Sequence, residues 1–126
     1  MEDDAPRVFT GRLELVAATA AGWGAWQVLL VSSSEIVGSL ELRAPDGDGR
    51  VECAYAMPAR YERKGYATEA IGGIIDWAFA HPAVRRIRAH APRAQPAAIR
   101  VLEQNGLSHV GDGDEPGTLR FELARP

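Results

Sequence analysis

The residues best suited to chemistry stand together in one loop. Glu62-Arg63-Lys64-Gly65-Tyr66-Ala67-Thr68 sets two cations beside a glycine, and the apolar residues that follow fall into helical spacing. A glycine at the mouth of a helix lets backbone N–H groups approach a ligand closely. The unpaired first-turn donors and the positive end of the helix dipole then favour an anion, and Arg63 and Lys64 add charge where it would lie. The local chemistry is that of a phosphate-binding turn. A nucleotide loop of the P-loop type does not fit, because no Gly-Lys-Ser/Thr follows.

Other polar clusters carry less. His81, His90 and His109 lack ligand spacing, so no metal site is expected. Asp46-Gly47-Asp48-Gly49 could pass for a calcium loop, but Arg50 stands where an oxygen ligand is needed and no glutamate closes the spacing, which leaves a hairpin turn. Arg85, Arg86 and Arg88 read as a solvated strand face. The formal net charge of -3 disfavours nucleic acid or an anionic membrane as the main partner. Cys53 is the single cysteine and cannot close an internal disulfide. No apolar run is long enough to span a bilayer, and Met1-Glu2-Asp3-Asp4 is acidic where a signal peptide would be basic, so cytoplasm is the expected setting.

The elements that position these residues follow from periodicity. A chain of 126 residues with 46% hydrophobic and 25% charged residues is expected to form one domain over 1–126, with 1–10 as a flexible tail. Alternation marks strands at 12–16, 25–31, 36–42 and 51–57, joined by short turns into an antiparallel meander. The link at 17–24 is too short for a normal helix. From Ala67 the stripe of Ala70, Ile71, Ile74, Ile75 and Ala78 predicts a helix that Pro82 ends. Gly72-Gly73 inside it costs roughly 1 kcal/mol per residue, which implies a close neighbour. A fifth strand at 84–91 carries Ile87, Ala89 and Ala91 on one side and Arg86, Arg88 and His90 on the other, and completes a parallel βαβ crossover. Pro96 opens a second helix that Asn105-Gly106 stops, and 107–110 and 118–123 close the chain. The expected class is α+β: a mixed, mostly antiparallel sheet of about seven strands.

This order of elements resembles the acetyl-CoA-dependent N-acetyltransferases of the GNAT superfamily, nearest to the branch that acetylates ribosomal-protein N-termini and small-molecule amines. That family's [QR]-x-x-G-x-[GA] motif reads here Glu62-Arg63-Lys64-Gly65-Tyr66-Ala67, and the stretch Gln95-Pro96-Ala97-Ala98-Ile99-Arg100-Val101-Leu102-Glu103-Gln104-Asn105-Gly106 is similar to its second helix and stop. The similarity runs from 26 to 123. It implies a three-layer α/β fold with a splayed cleft and acetyl-CoA (coenzyme A) as cofactor. The diphosphate would be held by the backbone of Arg63, Lys64, Gly65, Tyr66, Ala67 and Thr68, the pantetheine arm by free backbone near Tyr55 and Met57, and Gln95 would stand where relatives often carry a cofactor-contacting asparagine. Glu52 matches the place where some members carry a general base, although it reads equally as a solvated residue or an ion-pair partner. Leu102 replaces a tyrosine acid.

The resemblance also implies two helices between the first two strands, for which 17–24 leaves no room. An uncovered apolar sheet face is costly at roughly 25 cal/mol per Å², so a homodimer covering it is expected, with Trp23 and Trp26 either at that contact or in ordinary core packing. The implied function is transfer of an acetyl group from acetyl-CoA to a primary amine on a protein N-terminus or a small molecule. The alternative is a shortened acyl-CoA-binding module without a working acceptor site.

Overall fold

A computed structural model describes residues 5–126. The described residues form eight strands: β1 (Arg7–Phe9), β2 (Leu13–Ala17), β3 (Gly24–Leu30), β4 (Ile36–Leu42), β5 (Arg50–Ala56), β6 (Arg86–Pro92), β7 (Ser108–Asp112) and β8 (Thr118–Ala124). A single 3-10 turn at Ala59–Tyr61 precedes α1 (Tyr66–Phe79), and α2 (Pro96–Gln104) follows β6. The sheet order is β1-β2-β3-β4-β5-β6-β8-β7, antiparallel throughout except for the parallel β5–β6 pair that α1 bridges. The expected crossover and mixed sheet are both present.

One strand replaces part of the expected tail. Arg7, Val8 and Phe9 pair with Val16, Leu15 and Glu14, Arg7 Nη1 lies 2.9 Å from Glu14 Oε2, and Val8 packs on the core. The remainder of that tail reading, residues 1–4, lies outside the described residues.

Alternation along the strands sends one set of side chains to a single buried face. Leu13 and Leu15 of β2, Trp26 and Val28 of β3, Leu40 and Leu42 of β4, Val51 of β5, Ile87 of β6 and Phe121 of β8 are each at most 2% exposed. Against them α1 lays Ala70, Ile71, Ile74, Ile75 and Ala78, and α2 lays Leu102. The two glycines inside α1 have the close neighbours their cost implied. A Cβ on Gly73 would meet Thr10 Cγ2 at 2.9 Å and Leu15 Cδ1 at 3.2 Å, and one on Gly72 would meet Asn105 Oδ1 at 3.0 Å. So α1 is pressed between the β1–β2 turn and the end of α2.

Both helices cover the same face, and no helix intervenes between β2 and β3 among the described residues, as the short link at 17–24 implied. The face left bare is of mixed character: along the ladder Phe9, Leu29 and Ile36 line up with Glu14, and Val16 with Gln27, Phe9 and Ile36 being exposed. It carries Glu14, Gln27, Ser39, Glu41, Glu52 and Arg88, all partly or fully exposed. Trp26 is 1% exposed and donates its indole N–H to Gly22 O at 2.7 Å, while Trp23 and Trp26 both stack edgewise on Trp77 with ring centroids 5.0 and 5.1 Å away. Those tryptophans seal the end of α1, the core packing expected as the alternative to a contact with a second copy.

The sheet opens at one place. β5 and β6 are in register only where Arg50, Val51 and Glu52 face Arg86, Ile87 and Arg88. Beyond that, β5 stays on β4 through Ala56 and β6 stays on β8 through Pro92, so the two strands part towards their C-terminal ends. Both helices start from that end, because each follows one of the parting strands. This is where open α/β sheets place ligands.

Candidate active site

At the entrance to α1 the backbone is set by Gly65, which adopts φ 81° and ψ 3°, a left-handed conformation that glycine reaches without strain. The first helical hydrogen bond runs from Glu69 N–H to Gly65 O at 3.0 Å. The N–H groups of Tyr66, Ala67 and Thr68 are therefore the orphan donors of a helix start, with Arg63 and Lys64 exposed beside them.

Two residues that sequence reasoning missed hold this entrance. Arg12, at the β1–β2 turn, places Nε 2.8 Å from Glu69 Oε1, donates Nη1–H to Lys64 O at 2.9 Å, and lies 4.7 Å above the Tyr66 ring. A Cβ on Gly65 would come within 3.2 Å of its Nη2. Glu69 also accepts the Arg12 backbone N–H at 2.7 Å and the Thr10 hydroxyl. Burial raises the Glu69 carboxyl pKa, but the hydrogen bonds from Thr10 and Arg12 outweigh it and hold the group below its ordinary value. From the other side Asn105 Nδ2 donates to Thr68 O at 3.2 Å and to Val101 O at 2.9 Å. Nothing local in the sequence marks either contact, since Arg12 and Glu69 are 57 positions apart.

The other expected site residues line up along the parting strands. Tyr55 lies half-buried on β5, its hydroxyl pKa pushed up by burial and by Glu62, and Met57 follows directly after the strand. Gln95 precedes α2 and makes no side-chain cap; its carbonyl accepts the Ala98 and Ile99 N–H groups at 3.1 and 3.3 Å. Leu102, in the position of a tyrosine acid, is 2% exposed and belongs to the core. Cys53 is buried on the helix side, which pushes its thiol up to about 12.

Glu52 sits where the strands part, on the bare face, and its Oε2 is 3.2 Å from His90 Nδ1. Asp114 brings a carboxylate oxygen to the same place, all three ligand-type atoms lying within 4.8 Å of one another. Sequence spacing gave no hint of this grouping, which tertiary structure alone assembles. Asp114 is already held by Arg120 at 2.6 Å, and a cationic neighbour of that kind opposes a divalent ion. His81 stacks on Trp77 and His109 packs against Phe121. Two residues of the basic cluster are paired, Arg86 and Arg88 reaching Glu122 at 3.1 and 2.8 Å, while Arg85 stays exposed. Burial raises the Glu122 pKa, and the two arginines more than offset it.

Comparison with known proteins agrees with this geometry. A family model described as an acetyltransferase (GNAT) domain matches residues 2–108. The uncharacterized N-acetyltransferase YjdG of Bacillus subtilis (strain 168) is 33% identical over 87 residues, which cover 68% of this chain and 52% of that protein. The chain thus spans about half the length of that curated relative. A GNAT-family acetyltransferase from Bacillus anthracis has the same fold, with a TM-score of 0.81 at 16% identity over 94% of this chain and 98% of its own. The aminoglycoside acetyltransferase AAC(6')-Ib, solved in complex with coenzyme A and kanamycin, superposes with a TM-score of 0.71 at 19% identity, over 80% of this chain and 66% of that one. No helix among the described residues is long and apolar enough to cross a membrane.

Proposed function

This chain belongs to the GNAT acetyltransferase domain family, and from that premise we propose that it transfers an acetyl group from acetyl-CoA to a primary amine by direct attack. The observation that carries the reading is the parting of β5 and β6 immediately beyond Glu52, at the end of the sheet where the orphan donors of α1 lie. Bound acetyl-CoA would supply the thioester acetyl group and a thiol leaving group. The N–H groups of residues 63–68, with the Arg63 and Lys64 charges, suit its diphosphate. Past their shared register, the edges of β5 near Tyr55 and Met57 and of β6 up to Pro92 leave backbone groups free to pair with an amide-bearing arm, and Gln95 stands at the mouth of α2.

Glu52 is the general base in this proposal. Its side chain is 35% exposed on the bare face, so an acceptor can reach it from the side opposite the helices. It takes a proton from the ammonium group, and the freed amine then attacks. The acceptor is a protein N-terminus or a small-molecule amine; the kanamycin complex of the aminoglycoside enzyme supports the second. A cytoplasmic setting fits the lone buried thiol of Cys53.

One observation favours a second reading, an acyl-CoA-binding module without turnover: Leu102, in the position of the tyrosine acid, is a core residue and donates no proton. Calorimetry with acetyl-CoA, followed by thiol release with kanamycin, spermidine and an alanine-starting peptide, separates the two. Turnover with at least one amine is expected, and Glu52→Gln should lower kcat by about 10²–10⁴-fold without changing acetyl-CoA affinity. Binding without any turnover would favour the module, and an unchanged rate in Glu52→Gln would remove the base assignment while leaving the cofactor site in place.

A further inference from the structure

We infer that His90 is the positioning residue for Glu52, holding its carboxylate at the point where β5 and β6 part; the inference rests on the base assignment above. Four charged groups face His90 besides Glu52: Arg88 on its own strand, Arg120 and Glu122 on β8, and Asp114 in the β7–β8 loop. They are already matched among themselves, Arg120 with Asp114 at 2.6 Å and Arg88 with Glu122 at 2.8 Å. Glu52 is the carboxylate left for the imidazole, whose Nδ1 lies 3.2 Å from its Oε2. With its proton on Nδ1, the ring would present a donor to that oxygen.

His90 Nε2 is buried and meets no protein hydrogen-bond partner among the described residues. The chain also closes on it tightly, since a Cβ at Gly113 would come within 2.9 Å of His90 Cδ2 and 2.0 Å of Thr118 Oγ1. A partly exposed polar pair kept only for stability contributes too little to account for such a seat. Orientation does account for it. With Oε2 taken by the imidazole, the second oxygen of Glu52 is left for the acceptor. In the transfer, an ammonium N–H bond would break and an O–H bond form on that oxygen, with the imidazole proton staying on Nδ1; the electron pair left on nitrogen would form the bond to the thioester carbon as its C–S bond breaks, and the second proton that nitrogen sheds on becoming an amide would pass through solvent to the departing thiolate.

The test uses acetyl-CoA with whichever of kanamycin, spermidine and the alanine-starting peptide turns over fastest. His90→Ala should lower kcat by about 100-fold, the cost of a reacting group displaced by an ångström, with the KM for acetyl-CoA unchanged. His90→Asn, whose amide N–H can stand in for Nδ1–H, should recover most of that loss. Long-range proton–nitrogen NMR of the imidazole should find the proton on Nδ1. A wild-type kcat in His90→Ala beside a dead Glu52→Gln overturns the inference and spares the base; so does an Asn variant no better than Ala, or a proton found on Nε2. A wild-type rate in Glu52→Gln instead removes the base itself.

Discussion

The same strands build two faces of opposite character. Towards the helices every second residue is apolar and sealed, from Leu15 and Trp26 to Ile87 and Phe121. Away from them stand Gln27, Glu41, Glu52 and His90, open or half-open to solvent. The first face holds the fold together and presents the entrance of α1; the second carries Glu52, the base we propose, and is the side from which we propose the acceptor arrives. Stability and chemistry are thus assigned to opposite sides of one sheet, and they meet only where β5 and β6 part.

The contrast is broken most sharply by substitution on each face. Phe121→Ala, at a position with 0% exposure, is expected to destabilise by about 3–5 kcal/mol, whereas Gln27→Ala on the bare face should stay within about 0.5 kcal/mol, both read by urea unfolding. Equal effects would mean that something covers the bare face after all. A smaller effect tests the link between the β1–β2 turn and the entrance of α1. Arg12→Ala removes the ion pair to Glu69 and the bond to Lys64 O, but the side chain is half exposed, so the loss should be about 1 kcal/mol, with weaker coenzyme A binding beside it.

Acid should sharpen the picture by acting on the same link. The folded state holds the Glu69 carboxyl below its ordinary value of 4.5. The stabilisation is therefore present above that value and fades as pH falls through the lower folded one. Glu69→Gln should flatten the acid limb of a stability–pH curve measured by thermal melting. An unaltered acid limb would show that this carboxylate is not coupled to folding.

Much of the sealed face was legible in the sequence, because period 2 in the strands and period 3.6 in α1 mark the same residues that are buried. The parallel crossover followed from strand, helix and strand in order. β1 was not legible, since Arg7, Val8 and Phe9 are too few to show alternation. Glu14, Gln27, Ser39 and Glu41 alternate with the buried residues and mark which face of the sheet is open. Among site residues, the turn at 63–68 announces itself locally through Gly65 and its neighbouring cations. Arg12, Asn105 and His90 do not, because each acts through a contact that only tertiary packing creates.

The central claim is that the amides entering α1 are shaped for a diphosphate on a thioester carrier. Amide NMR during titration with coenzyme A, compared with pantetheine, which lacks the diphosphate, tests it most directly. Coenzyme A should move the resonances of residues 63–68 together with those of 53–57, and pantetheine only the latter. Resonances at 63–68 that stay fixed at saturating coenzyme A would contradict it.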